Sequence, residues 1–247
     1  MTGTPCVFLL DVEGTVSPIS LVSEQLFPYA RAHFANFLSA SIDNPAVRTD
    51  LILLSEESQA EKDATAPPIP ELASGGFLDT PDFQVRSLAY LLWLMDRDRK
   101  STALKSLQGK IWKVGFESGE LEGTLFPDVP AALVRWSAQS RVAIYSSGST
   151  SAQQLLFRYS TFGNLTALIA AYFDTRTGVK TAPASYATIA ASMHVEPHRV
   201  CFFSDVVREL DAAREAGLET RLVVREGNAP VEDAHGHLAI ESFNSCF

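Results

Sequence analysis

The sequence predicts an α/β protein, with a doubly wound, Rossmann-like parallel sheet as its core and an α-helical cap domain inserted into that core. Three observations support this fold class. Short apolar runs have the pattern of strands that are buried on both faces. Helix-like segments separate the later runs, as in a doubly wound sheet. After the first run, a stretch of roughly a hundred residues shows helical periodicity and no strand.

Continuous apolar runs predict four strands of the sheet. A strand that is covered by helices on both faces needs apolar side chains at consecutive positions rather than at alternate ones. The runs are Cys6–Leu10, Val142–Tyr145, Val200–Phe203 and Arg221–Val224. Between the later strands, Ser185–Met193 and Val207–Ala216 can form crossover helices, and Gly217 is typical of a residue that ends a helix.

The middle of the chain predicts the helical cap. Apolar residues recur at helical spacing at Leu26, Ala30, Phe34, Phe37 and Leu38, and again at Leu88, Leu91, Leu92 and Met95. The segment from Glu56 to Gly76 is rich in Glu, Ala, Pro, Ser and Gly, which predicts an exposed loop. We therefore assign residues 21–124 to the cap and residues 1–20 and 125–247 to the core.

The composition argues against several classes of protein. Hydrophobic residues make up 46% of the 247 residues, which is enough for a buried core. The 20 Lys and Arg residues against 29 Asp and Glu residues give a net charge of -9, which disfavours nucleic acid and membrane surfaces as partners. No apolar run approaches the ~18 residues of a membrane span. The 3 cysteines are widely spaced, which disfavours a disulfide framework and indicates a cytoplasmic protein.

Polar residues follow three of the predicted strands. In an open α/β sheet, ligands bind beyond the carboxyl ends of the strands, so these residues are candidates for a functional site. They are Asp11 and Glu13 after the first strand, Ser146 and Ser147 after the second, Lys180 at the end of a later loop, and Asp205 after the third.

The acidic residues indicate a metal site. Asp11 and Glu13 are two apart, so an extended chain would direct both to the same side, and Gly14 then permits a sharp turn. Asp205 should arrive from a neighbouring strand. Converging carboxylates repel one another unless a cation lies among them, and an all-oxygen ligand set suits Mg²⁺. The alternative is that these acids cap helices or hold turns.

The serines and the lysine are informative only in combination. Hydroxyl and free N–H groups at the start of a helix bind phosphate well, although Ser146 and Ser147 could equally form a strand-to-helix turn. Lys180 could be a surface lysine. Beside a metal-bound phosphate it would offset the remaining negative charge.

The order of these motifs resembles that of the haloacid dehalogenase-type phosphohydrolases. That superfamily has an Asp nucleophile after its first strand, a second acid two residues later, a Ser or Thr after the next core strand, then a Lys, then further acids. Asp11, Glu13, Ser146, Lys180 and Asp205 match those positions, and the match spans nearly the whole chain.

Glu13 narrows the resemblance, because most of the superfamily has Asp there. An Asp-x-Glu-Gly-Thr motif followed by Ser17-Pro18-Ile19 is similar to the enolase-phosphatase E1 family of methionine salvage. Further segments agree with that family, namely Leu107–Trp112, Phe126–Val129, Tyr145–Ser149 and Phe173–Thr175.

The resemblance implies a bifunctional enzyme, an acireductone synthase, that binds one Mg²⁺ per subunit. It would enolise 2,3-diketo-5-methylthiopentyl-1-phosphate and then hydrolyse the phosphate. Asp11 would be the nucleophile and Glu13 the acid and base, while Ser146, Ser147 and Lys180 would bind substrate. Asp11, Glu13 and Asp205 would hold the metal, and Glu209 would orient a metal-bound water. The resemblance also implies a monomer.

Three other functions stay open at this point. A phosphatase or phosphomutase of the same fold could act on another small phosphate ester, such as a sugar phosphate. A metal-free dehalogenase would leave Glu13 and Asp205 without a purpose. A non-catalytic binding module would have no need of the charged residues at the strand ends.

Overall fold

The computed structural model describes residues 5–70 and 78–246. The chain divides into two compact units, Met1–Glu24 with Gly119–Phe247, and Gln25–Ser118. The first unit contains a parallel sheet and the second is helical, so the predicted fold class is confirmed. The assignment of residues 21–124 as a functional cap stays a prediction.

The first unit contains a sheet of six parallel strands. The strands are β1 (Val7–Leu10), β2 (Arg141–Tyr145), β3 (Ala171–Phe173), β4 (Val200–Ser204), β5 (Glu219–Val223) and β6 (Leu238–Ile240). Their order is β3-β2-β1-β4-β5-β6, so the first strand of the chain lies in the middle of the sheet. Leu10 is in register with Ile144 on one side and with Phe203 on the other.

Eight α-helices lie in the described residues. They are α1 (Phe27–Ser41), α2 (Pro45–Ala60), α3 (Pro81–Asp96), α4 (Thr102–Ser118), α5 (Val129–Ser137), α6 (Thr150–Arg158), α7 (Pro183–Ser192) and α8 (Val207–Glu215). Helix α8 ends as predicted, because Gly217 adopts a left-handed conformation at φ +90° two residues after its last turn.

The central strand is buried on both faces, as its continuous apolar run predicts. Val7 and Leu9 pack in a cluster with residues of α7 and α8. Phe8 points the other way and stacks on Trp136 of α5, with ring centroids 4.5 Å apart. Every residue of β1 is therefore apolar and buried, and the polar side chain that follows, Asp11, begins where the strand ends.

Two strands are missing from the sequence prediction. Both β3 and β6 have three residues, and both lie at an edge of the sheet. Leu238 is 62% exposed, and all three residues of β3 are half-buried. Short edge strands lack the continuous apolar pattern of the central strands, which is why the pattern does not detect them.

The second unit has its own apolar core. Phe34 and Leu38 of α1, Leu51 of α2, Leu91 of α3 and Leu107 of α4 are each at most 1% exposed and belong to one cluster. The described residues of this unit form no strand, so the predicted helical character is confirmed.

The predicted loop at Glu56–Gly76 is wrong at its start. Residues 56–60 continue α2, because the buried positions of that helix extend to Leu54 and Ser55 and its last turn stays regular. The segment that follows packs against the helix: Ile69 is 1% exposed, and its carbonyl accepts a hydrogen bond from Gln59 Nε2 at 2.5 Å. Residues 71–76 lie outside the described residues.

One glutamate near the end of α2, Glu57, binds the start of α4. Glu57 Oε1 accepts a hydrogen bond from the Thr102 backbone N–H at 3.0 Å, and Glu57 Oε2 accepts one from Ser101 Oγ at 2.5 Å. A carboxylate at this position satisfies N–H groups at the start of α4 that have no partner within the helix.

The described part of the chain holds no helix with both the length and the apolar character that crossing a membrane requires.

Candidate active site

Asp11 lies at the carboxyl end of the central strand. Its backbone N–H donates to the Phe203 carbonyl at 2.9 Å, which continues the pairing with β4 by one residue. Its side chain is buried, and Oδ1 accepts a hydrogen bond from the Val12 N–H at 2.7 Å. Because β2 and β4 flank this strand, side chains that follow those two strands lie at the same edge of the sheet.

The loop after Asp11 turns sooner than we predicted. The chain bends at Val12 rather than staying extended through Glu13, and the Thr15, Val16 and Ser17 N–H groups all donate to the Val12 carbonyl. Gly14 adopts φ +72°, and a Cβ at this position would overlap the Asp205 carboxylate. Glycine is therefore required both by the backbone conformation and by the approach of Asp205.

Lys180 makes ion pairs with two carboxylates. Its Nζ lies 2.5 Å from Asp11 Oδ1 and 2.6 Å from Glu209 Oε2, and its side chain is 9% exposed. Burial alone would lower the pKa of Lys180, but the two negative charges outweigh burial and raise it. The two carboxylates therefore favour the positively charged form of Lys180 next to Asp11.

Three side chains fix the loop that ends at Lys180. Tyr145 Oη donates to the Gly178 carbonyl at 2.8 Å, Ser185 Oγ to the Val179 carbonyl at 2.8 Å, and Tyr186 Oη to the Lys180 carbonyl at 2.6 Å. Successive carbonyls are thus bound by side chains from β2 and α7. These bonds hold the backbone at Lys180, while its two ion pairs hold the side chain.

Ser204 closes a ring of polar contacts with Asp11, Lys180 and Glu209. Its Oγ donates to Glu209 Oε2 at 3.0 Å and lies 3.4 Å from Asp11 Oδ2. Sequence reasoning missed Ser204, although a polar residue at the end of a buried apolar strand is a usable signal. Glu209 pairs with Lys180, and the water-orienting role that the resemblance gives it stays a prediction.

Asp205 is placed in acidic surroundings with one oxygen unpaired among the described residues. Its Oδ1 is buried and finds no hydrogen-bond partner among the described residues. Burial, followed by the nearby negative charge of Asp11, raises the pKa of Asp205 to about 7. A buried carboxylate oxygen of this kind, beside a second carboxylate, is suited to a hard cation.

The carboxylates of this site do not form a ready-made metal cluster. Within residues 5–70 and 78–246, no group of three or more His, Cys, Asp or Glu side chains is arranged to hold a metal. The side-chain oxygens that the site offers to a cation are therefore those of the buried Asp11 and of Asp205. A role for Glu13 in metal binding stays a prediction.

The two predicted serines differ in their surroundings. Ser146 is 3% exposed, and its Oγ accepts a hydrogen bond from the Gly148 N–H at 3.1 Å, whereas Ser147 is exposed. Gln153 Nε2 donates to the Gly148 carbonyl at 2.7 Å, which ties this turn to α6. Ser149, not Ser146 or Ser147, caps the helix by accepting from the Ala152 N–H. Capping therefore leaves the two predicted serines available for a ligand.

A family model for haloacid dehalogenase-like hydrolases matches residues 7–217. Those residues include all of the second unit, most of the first, and every residue of the site described above. The fold and the site thus define a member of the haloacid dehalogenase-like hydrolases.

The relatives identify the branch of that class. The enolase-phosphatase E1 of Synechococcus elongatus is 48% identical over 225 residues, covering 91% of this chain and 90% of that protein. The chain belongs to the enolase-phosphatase E1 family, as predicted from the motif around Glu13.

Two solved structures share the fold of this chain. The UTR4 protein of Saccharomyces cerevisiae is 34% identical, with a TM-score of 0.78 over 98% of this chain and 100% of that one. The hydrolase YfnB of Bacillus subtilis, solved with bound magnesium, is 14% identical with a TM-score of 0.52 over 98% of this chain and 96% of that one, and shares the fold alone.

Proposed function

We propose that the chain converts 2,3-diketo-5-methylthiopentyl-1-phosphate into phosphate and the acireductone 1,2-dihydroxy-3-keto-5-methylthiopentene, in the cytoplasm and as a monomer. The observation that carries the proposal is the buried Asp11 carboxylate, held at the end of the central strand with its Oδ1 2.5 Å from Lys180 Nζ. A nucleophilic carboxylate needs this precise placement and a neighbouring positive charge that tolerates an incoming phosphate.

Asp11 is the nucleophile of the phosphatase step. One of its oxygens attacks phosphorus, the bond between phosphorus and the substrate oxygen breaks, and an aspartyl-phosphate forms. Glu13 donates a proton to the leaving oxygen. It then removes a proton from water, which attacks the aspartyl-phosphate, releases phosphate and restores Asp11.

Lys180 and the two serines bind the phosphate group. Lys180 offsets the negative charge of the phosphoryl oxygens, and its contacts with Asp11 and Glu209 keep it aimed at the reacting atoms. Ser146 and Ser147 donate hydrogen bonds to the phosphate or to the adjacent carbonyl. Their position beside the start of α6 favours an anion.

The enolase step removes a proton from a carbon atom next to a ketone, and the electron pair of the broken C–H bond forms an enolate whose negative charge lies on the former ketone oxygen. Glu13 is one methylene longer than the Asp that most of the superfamily has at this position. We assign it as the base because the longer side chain can extend to the substrate carbon. Enolisation precedes hydrolysis, so the same glutamate serves as base first and as acid afterwards.

One Mg²⁺ per subunit fits the donor set. Asp11, Asp205 and the backbone carbonyl of Glu13 would hold it, and the buried Oδ1 of Asp205, which has no hydrogen-bond partner in the described part of the chain, supports that assignment. When bound, the ion supplies positive charge that lets two carboxylates and a phosphate share one site.

The first experiment follows phosphate release and enediol absorbance together, on the diketo-phosphate, with and without Mg²⁺. We expect both signals to depend on Mg²⁺. We expect Asp11→Asn to abolish phosphate release, because an amide cannot form the aspartyl-phosphate.

Two outcomes would contradict the proposal. Hydrolysis of a panel of simple or sugar phosphates without turnover of the diketo-phosphate would indicate another phosphatase of this fold. Full activity of Asp11→Asn would exclude Asp11 as the nucleophile.

A further inference from the structure

The turn after β5 binds the loop that carries Asp11 and Glu13. Asn228 Nδ2 donates to the Gly14 carbonyl at 2.9 Å, and Arg225 Nε lies 3.2 Å from the Thr15 carbonyl, to which it donates. Two side chains of one turn therefore hold two successive carbonyls of the loop. Neither side chain has a part in the chemistry described above.

Arg225 is itself held in one orientation. Its side chain is 6% exposed, and Nη1 lies 2.9 Å from Asp128 Oδ2 and 3.0 Å from the Glu241 carbonyl. Its guanidinium carbon lies 4.6 Å from the Phe126 ring centroid and 4.7 Å from that of Phe243. A guanidinium between two rings and paired with a buried carboxylate has little freedom to move.

The opposite end of the loop is tied to a separate segment. The Phe126 N–H donates to the Val16 carbonyl at 3.0 Å, and Ser17 Oγ donates to the Thr124 carbonyl at 2.7 Å. The stretch between these contacts and Asp11 contains Gly14, whose backbone has wide conformational freedom. The contacts from Arg225 and Asn228 lie on that stretch.

We propose that Arg225 and Asn228 are positioning residues, which hold the Asp11–Ser17 loop in the geometry that phosphoryl transfer needs. The inference rests on the proposed roles of Asp11 and Glu13. A reacting group displaced by ~1 Å can lose about a hundredfold in rate, so the loop's carbonyl contacts control the rate rather than the affinity for substrate.

Asn228→Asp is the sharpest variant. It keeps the size of the side chain but replaces the donating amide with a carboxylate that repels the Gly14 carbonyl. We expect kcat to fall by about 10-fold to 100-fold, with KM changed by less than about threefold. We expect the melting temperature to stay near that of the wild type, because Asn228 is only half-buried.

Arg225→Lys and Arg135→Lys form a matched pair. Both arginines bind carbonyls near the carboxyl end of the chain, since Arg135 Nη2 donates to the Phe243 carbonyl at 2.7 Å. Both also lie over aromatic rings, but only Arg225 reaches the loop. We expect both variants to lose thermal stability and only Arg225→Lys to lose kcat beyond about tenfold at a temperature where both are folded.

A merely structural role gives a different pattern. The proposal is overturned if Asn228→Asp keeps its kcat, or if Arg135→Lys loses as much kcat as Arg225→Lys. Rates are measured with the diketo-phosphate and with p-nitrophenyl phosphate. A wild-type protein that hydrolyses only the second compound contradicts the proposed substrate, while the variants still test positioning on that ester.

Discussion

Lys180 forms ion pairs with two carboxylates, so replacing it measures how much its positive charge contributes to the stability of the folded protein. In metal-free protein, we expect Lys180→Met to reduce the free energy of unfolding at pH 8 by about 3 kcal/mol, because Asp11 and Glu209 lose their counter-charge in a buried site. The variant's carboxylates take up protons more readily in the folded state than in the unfolded state. The pKa of Glu209 is already raised by burial and by the charge of Asp11, and loss of Lys180 raises it further, so the deficit should shrink as pH falls from 8 towards 5.

Urea unfolding at pH 5 and pH 8 in the presence of a chelator checks this prediction. Lys110→Met is the control, since Lys110 also lies 2.5 Å from an aspartate, Asp50, but is 29% exposed. We expect it to cost about 1 kcal/mol or less, with little dependence on pH. An equal deficit for the two lysine variants at both pH values contradicts the prediction.

The residues of the site differ in how visible they are in the sequence. Asp11, Lys180 and Asp205 are predictable because each follows a strand-like run or a turn and belongs to a motif with a recognisable order. Ser204 is harder to predict from the sequence, because its part in the site rests on its contacts with Glu209 and Asp11. The order of the motifs predicts which residues lie together in the site. It does not predict the hydrogen bonds that orient their side chains.

At the scale of the element, the loop after β1 depends on one glycine. Gly14→Ala would strain the backbone and push the new methyl group into the Asp205 carboxylate. We expect the strain to cost about 1–3 kcal/mol of stability. We expect kcat to fall by at least about a hundredfold, because both Asp205 and the loop must shift.

Gly163→Ala separates the two effects of that substitution. Gly163 has a similar φ of +84°, but a Cβ there would meet no described atom within 4 Å. The two variants should lose similar stability in thermal unfolding, and only Gly14→Ala should lose activity. A loss of activity in both would show that strain, rather than displacement of Asp205, limits the enzyme.

The strands differ in how well the sequence predicts them. The central strands are predictable because burial on both faces demands an unbroken apolar run. Strands β3 and β6 are not, since each has three residues and one neighbouring strand. The last turn of α2 is also hidden, because Glu56–Ala60 has the composition of a loop and is kept helical by packing at the preceding turn.

At the scale of the whole unit, Asp128 joins segments that are distant in sequence. Its Oδ2 lies 2.9 Å from Arg225 Nη1 and accepts the Phe243 N–H at 2.7 Å and Ser242 Oγ at 2.9 Å. Burial acts to raise the pKa of Asp128, but these donors outweigh burial and lower it. Such contacts, like those of Arg225 and Asn228 with the loop, leave no local pattern in the sequence.

The lowered pKa predicts how acid affects this unit. Because the folded-state pKa lies below the unfolded value of about 3.9, the contribution of Asp128 is complete above that pH and is lost as pH falls through the folded-state pKa. We expect Asp128→Asn to cost about 3 kcal/mol at pH 7 and to flatten the fall in stability below pH ~4.

Unfolding followed between pH 7 and pH 2.5 checks the Asp128 prediction. Asp174→Asn is the control, because the pKa of Asp174 is also lowered but its partner Arg176 is 80% exposed. Its cost at pH 7 should be smaller, because Arg176 stays hydrated without it. If the stability of Asp128→Asn falls as steeply below pH ~4 as that of the wild type, the prediction for Asp128 is contradicted.

The central position of β1 has a consequence for synthesis on the ribosome. Val7 pairs with Arg141 on one side and with Val200 on the other, so the first strand to be made must wait for partners that are made much later. At translation rates of about 5–20 residues per second, both partners are complete only after roughly 10–40 s. Until β2 and β4 have both been made, the apolar β1 lacks at least one of its two neighbouring strands. We therefore expect the nascent chain to need protection from aggregation, such as binding to a chaperone.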